Sequence, residues 1–239
     1  MKSDSAYGSA ASDPVRSATV LLSTHVMNLR GLDRVSRLRQ DEDARSSATA
    51  YHIVWIDGVG GYLLWDRNEL VIGQAFAGSG ADIGIVGDLS RQAAAIRRIG
   101  GDYLLQPLQR TSLNGHVIDR SQLLSDQSRI ELGQSVKMDF RRPNPLSATA
   151  RLEIAGIHRW QPYVDAVVLL ADCCILGPRP GSHIECREWS SELMLIQKGA
   201  QWHFKTGVDV DVNGRTQRGT FPVVRGMNVR GEDFSLSIE

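Results

Sequence analysis

Three cysteines, Cys173, Cys174 and Cys186, are all that this chain of 239 residues contains. The number is odd and no two are spaced CxxC, which excludes a disulfide framework and the common structural zinc patterns. Buried thiols in a reduced, cytoplasmic protein are the expectation. Charge of one sign is missing too: 27 basic residues balance 27 acidic ones, leaving no net field to draw in nucleic acid or an anionic membrane. No apolar run approaches the roughly 20 residues of a spanning helix. The opening "MKSDSAYGSAASDPVRSATVLLSTHVM" has only Val20–Leu22 as an aliphatic stretch, too short for a secretory core. The six histidines form no HxH or HExxH pair, so no metal centre is expected. The glycines of "GVGG" and "GSGADIGIVG" carry no Lys-Ser/Thr, and "DLSRQ" lacks a GxSxG elbow. Neither catalysis nor a cofactor is indicated.

What is present reads as a soluble globular chain, 42% hydrophobic and 23% charged. Residues 1–47 read as a polar, disordered tail, an amphipathic helix and a linker, "RQDEDARSS". The helix rests on Leu22, Val26, Leu29, Leu32 and Val35 at spacings of three and four, with Arg30, Arg34 and Arg37 on another side. From Tyr51 the character changes. "YHIVWI", "GYLLW", "NELVIG", "ADIGIV", "DYLLQPL", "RIELG" and "VKMDF" are short β-prone runs cut by Gly, Asp, Asn and Ser. The habit resumes after Pro143 with "ARLEIAGI", "AVVLLADCCILG", "LMLIQ", "QWHFK" and "FSLSIE". Such a pattern predicts an all-β sandwich or barrel. "QAAAIRRI" has helical propensity, but Gly100-Gly101 ends it early, and it reads as a strand following a loop.

"DVDVNGRTQRGT", from Asp209 to Thr220, imitates the first half of an EF-hand loop. The closing position, which must be Glu, is Thr220, and the usually apolar eighth is Thr216. Asp209, Asp211 and Asn213 instead share one face of a strand that ends in an Asn213-Gly214 turn.

The chain also repeats itself. "ELVIGQAFAGSGADIGI" and "ADCCILGPRPGSHIEC" follow one order of strand, Gly73 or Gly177, glycine-rich loop and strand. "LNGHV" and "VNGRT" lie 99 residues apart, from Asn114 to Asn213, and each leads to a closing strand. The expectation is two homologous domains, 48–146 and 147–239, meeting near "RRPNPLSATA". The first resembles the forkhead-associated (FHA) domain through Gly73, Asp82-Ile83, Ser90-Arg91, Asn114-Gly115 and the Leu124–Gly133 stretch; the second is a fainter copy keeping Gly177, Ile184, Ser190 and Asn213-Gly214. The resemblance implies two tandem FHA-like β-sandwiches of about eleven strands each, preceded by the one helix.

It also implies a binding protein, a scaffold or adaptor whose partner is a protein or a phosphothreonine-containing peptide. In the family a Gly-Arg arginine, the Ser of a Ser-Arg-x-His loop and residues near Asn-Gly turns hold the phosphate, as guanidinium forks, hydroxyls and amides suit a doubly charged group. Here Ser90 and Arg91 match, Gln74 stands at the arginine position and Ala93 at the histidine. The single Asn-Gly turn fits the family's ligand-touching turn through Ser112 and Asn114, or its later one, in which case Arg110 or Thr111 takes the contact. A working site needs Arg91, with Arg97, Arg98 or Arg110, to converge near Ser90. The second copy has Pro178 at the arginine and Glu192 after Ser190-Ser191, which opposes phosphate. A phosphate-independent interaction module is the alternative reading of the whole.

Overall fold

The computed structural model describes residues 51–239. The expected helix within 1–47 lies outside them. Everything described is β or loop, as the short punctuated runs predict. Eleven strands run to residue 141: β1 (Tyr51–Ile56), β2 (Gly60–Trp65), β3 (Glu69–Gln74), β4 (Ile83–Val86), β5 (Ala94–Ile99), β6 (Asp102–Pro107), β7 (Thr111–Leu113), β8 (His116–Ile118), β9 (Gln122–Leu124), β10 (Ser128–Leu132) and β11 (Val136–Arg141). Ten follow: β12 (Ala150–Ala155), β13 (Arg159–Gln161), β14 (Ala166–Leu169), β15 (Cys173–Gly177), β16 (Ile184–Glu185), β17 (Leu193–Lys198), β18 (Gln201–Val212), β19 (Arg215–Pro222), β20 (Asn228–Arg230) and β21 (Ser235–Ile238).

Alternation sets the faces. On β10, Ser128, Ile130 and Leu132 are buried; on β11, Val136, Met138 and Phe140 are, with Ile130 opposite Met138 and Leu132 opposite Val136. A small sheet in the order β13-β4-β3-β5-β6-β9 faces them across a first core containing Leu70, Ile72, Ile85, Ile96, Leu105 and Trp160. A second core gathers Leu176, Leu193, Phe204, Val210, Val229 and Leu236.

The two cores share their middle strands. Leu63 and Trp65 of β2 face the first core, whereas Tyr62 and Leu64 face the second. Val167 and Leu169 of β14 likewise oppose Ala166 and Val168, and β14 runs parallel to β2, with Val167 beside Leu63. A strand buried on both faces is apolar at successive positions instead of alternating, which is how "GYLLW" and "AVVLL" read.

The pairing of the opening strands is not that of two beads on a string. β1 hydrogen-bonds β21 at the other end of the chain, and β12 hydrogen-bonds β11 over five residue pairs, Lys137–Ala155 to Arg141–Arg151. The boundary expected near residue 146 therefore falls between two paired strands, and strands β1 and β2 of the first half complete the sheet of the second. Alternating patterns specify which face of a strand is buried, and leave open which neighbour it joins.

Candidate functional site

Three connections meet at one end of the first core: 75–82 after β3, 87–93 after β4, and 108–110 after β6. Backbone bonds tie them. The Gln74 amide donates to the Ser90 carbonyl at 3.0 Å, and the Leu108 and Gln109 amides both donate to the Ala93 carbonyl, at 3.1 and 3.0 Å. The Gln92 side-chain amide donates to the Gly80 carbonyl at 2.6 Å. Ala93 is buried, and the loop bracing passes through its backbone carbonyl. Gly73 has to be glycine because a β-carbon there would stand 1.8 Å from the Arg91 carbonyl oxygen.

The recess so formed, about 610 Å³, is lined by Ser79, Ser90, Arg91, Gln92, Leu108 and Gln109. Ser90 and Arg91 are exposed. The Arg91 guanidinium lies over the ring of Phe76, 5.7 Å from its centroid, and makes no ion pair among the described residues. Gln74 lines an adjoining hollow of about 490 Å³ with Phe76, Ser79, Asp82 and Tyr51. The structure thus brings Ser90, Arg91 and Gln74 together at one end of the sheet, with one positive charge among them.

The other sequence candidates lie elsewhere or are committed. Arg97 pairs with Glu69 at 2.9 Å, and Arg98 donates to the Asn68 side chain and the Leu170 carbonyl, so neither converges on Ser90. Thr111 is fully buried, and its hydroxyl donates to the Gln109 carbonyl at 2.9 Å, holding the 108–110 loop. Arg110 is exposed but does not line the recess, and Ser112 sits within β7 opposite Val117 and Glu131. Asn114 closes the β7–β8 turn at φ 52° and ties it to β10: its side-chain oxygen accepts from the Arg129 amide at 2.8 Å. Asn213, at φ 51°, does the same to the Asn228 amide at 2.9 Å, again fifteen residues on. Asn114 and Asn213 thus close their turns in the same way.

Sequence reasoning missed Phe76, Ser79, Leu108 and Gln109. Their only sequence signal is adjacency to the matched loops. In the second half, Pro178, Ser190, Glu192 and Lys205 line a hollow of about 320 Å³ together with Arg179, which pairs with Glu192 at 3.3 Å. Pro178 carries no charge, and the cation one residue later, Arg179, is neutralised by Glu192.

The decoys resolve as structure. Asp211 accepts from the Gly214 amide at 3.0 Å, a side-chain bond across the turn of the β18–β19 hairpin that "DVDVNGRT" forms. His183 is buried, and its Nδ1 accepts from the Ile175 amide at 2.9 Å; burial, then the nearby Arg151, pushes its pKa down to about 4. Burial pushes the Cys174 thiol far up and Cys186 to about 12, which removes thiolate reactivity at neutral pH.

No family model matches the chain, and no curated protein matches it. Solved structures similar to it are FHA domains. That of the CT664 protein from Chlamydia trachomatis is 20% identical, over 35% of this chain and 89% of that one, with a TM-score of 0.27. One from a study of phosphothreonine-dependent FHA domain interactions is 26% identical, over 35% of this chain and 88% of that one, at 0.25. The N-terminal FHA domain of EssC, a component of the bacterial type VII secretion apparatus, is 12% identical, over 79% of this chain and 92% of that one, at 0.22.

Proposed function

We propose that this protein is a non-enzymatic interaction module built from two FHA-like repeats, the second degenerate, and that the loop end around Ser90 receives a phosphothreonine segment of a partner protein. One observation carries the reading. The Ser90 hydroxyl and the Arg91 guanidinium border one open recess, and among the described residues no carboxylate neutralises Arg91. A phosphate there gains one charged and one neutral hydrogen bond, with Gln74 able to add a second neutral one. Supporting the repeat is the shared tie of Asn114 and Asn213.

The second reading, a phosphate-independent interaction module, is favoured by Gln74 at the family's arginine position and by the commitment of Arg97 and Arg98 elsewhere. Losing one charge-assisted bond costs about 1.5–3 kcal/mol, or roughly one to two orders of magnitude in affinity. Titration with a degenerate phosphothreonine-peptide library, its unphosphorylated twin and Arg91→Ala separates the two. Phosphate-dependent binding lost in Arg91→Ala supports the first reading. Equal binding of both libraries, indifferent to Arg91, supports the second.

A further inference from the structure

A further cavity, of about 580 Å³, opens where the β1–β2 turn, β12, the loop after β16 and the β20–β21 turn converge. Five carboxylates line it, Asp57, Glu153, Glu185, Glu188 and Asp233, against two arginines, Arg151 and Arg187. Both arginines are engaged. Arg151 pairs with Glu153 at 2.6 Å and donates to the His183 carbonyl at 2.7 Å; Arg187 pairs with Glu185 at 3.3 Å. Asp233 accepts from the Ser190 amide. Asp57 and Glu188 are exposed, and among the described residues neither has an ion-pair partner. The cavity thus keeps unneutralised negative charge at its rim.

The independent sign of a ligand is Tyr62. It is 9% exposed, and its ring belongs to the second core. Its hydroxyl has no hydrogen-bond partner among the described residues, yet is not among the sealed, unsatisfied polar atoms, so it opens into the cavity it lines. Burial holds its pKa up at about 12, so at neutral pH it stays an O–H that both accepts and donates. Facing the open cavity, the hydroxyl is served by water, which a ligand group of matching polarity can replace.

We propose that this cavity receives the guanidinium of an arginine from a partner protein's exposed segment, with Asp57 and Glu188 as its carboxylate acceptors and Tyr62 as the inner hydrogen-bonding group. A guanidinium carries five donors in a planar fork, which suits acceptors spread around a cavity better than the compact ammonium of lysine does. A metal ion does not fit: no three His, Cys, Asp or Glu side chains among the described residues are placed to hold one. Because Asp57, Gly58, Arg187 and Glu188 are exposed, a side chain presented on a protein surface can enter. The site is separate from the Ser90 recess and shares no residue with it.

The test titrates the full chain with fluorescein-labelled hexaarginine and hexalysine at low salt, followed by anisotropy. Saturable one-to-one binding of hexaarginine is expected, with hexalysine weaker. Asp57→Asn/Glu188→Gln should weaken hexaarginine about tenfold or more and Tyr62→Phe severalfold. Asp88→Asn/Asp119→Asn makes the same charge change at exposed acids outside the cavity and should leave affinity unaltered. Equal loss in both double variants means diffuse surface attraction and overturns the proposal. So do undetectable hexaarginine binding and hexalysine binding as tight as hexaarginine.

Discussion

The carbonyl oxygen of Arg91 lies where a β-carbon on Gly73 would come within 1.8 Å of it. The partner atom is backbone, so it cannot rotate aside. Gly73→Ala is therefore expected to push the Ser90–Arg91 loop off β3 and break the Gln74–Ser90 bond. The overpacking should cost about 1–3 kcal/mol, read from the urea midpoint. Any phosphopeptide affinity should fall further than that of a comparably destabilised core variant.

Asn114 and Asn213 invite a matched pair of substitutions. Each to Ala removes the side-chain acceptor of a strand amide and leaves a non-glycine residue at positive φ. Each should lower stability by about 1–3 kcal/mol, and the two losses should be similar. A loss confined to Asn114, without one at Asn213, would mean that the two turns are not the same device.

Leu63 and Leu64 are consecutive and belong to different cores. Leu63→Ala and Leu64→Ala should each cost about 2–5 kcal/mol. Because β2 serves both cores, each variant should still melt in a single transition by calorimetry and by circular dichroism. Two separated transitions, one shifted per variant, would show that the cores unfold independently.

His183 gives a pH dependence whose sign follows from its lowered pKa. The unfolded chain takes up a proton near pH 6.5, while the folded one resists until about 4. The unfolded state therefore binds more protons in between, and stability falls as pH drops from about 6.5 to 4. His183→Asn keeps an acceptor for the Ile175 amide and removes the titration. Urea midpoints measured across that window should fall less steeply in the variant. His52, whose pKa is also lowered by burial, supplies part of the slope that remains.

Much of this was legible in the chain. "RIELG" and "VKMDF" alternate as β10 and β11 do, and "QAAAIRRI" is the strand β5, as its terminating glycines indicate. The placement of β1 was not legible. "YHIVWI" is apolar at successive positions, with Ile53 in the first core and Val54 and Ile56 in the second, and nothing local in the sequence distinguishes "VKMDF" from "FSLSIE" as its neighbour. At the site, Ser90 and Arg91 could be found because adjacent loop residues stay adjacent in space. Arg97 and Arg98 could not be excluded from the sequence, although six or seven residues of extended chain carry them on the order of 20 Å away at about 3.3 Å per residue. Asn114 was ambiguous because ligand-facing and turn-closing Asn-Gly pairs are written with the same letters.

Ile53 and Glu239 exchange two backbone hydrogen bonds, at 3.0 and 2.8 Å, so the β1–β2 hairpin is seated by β21 and the residue that follows it. On the ribosome that hairpin is made long before β21, so its β21-facing edge waits unpaired while the residues between them are synthesised. Deleting β21 would therefore be a lesion in β1, leaving an unpaired edge on a strand that lies far away in sequence.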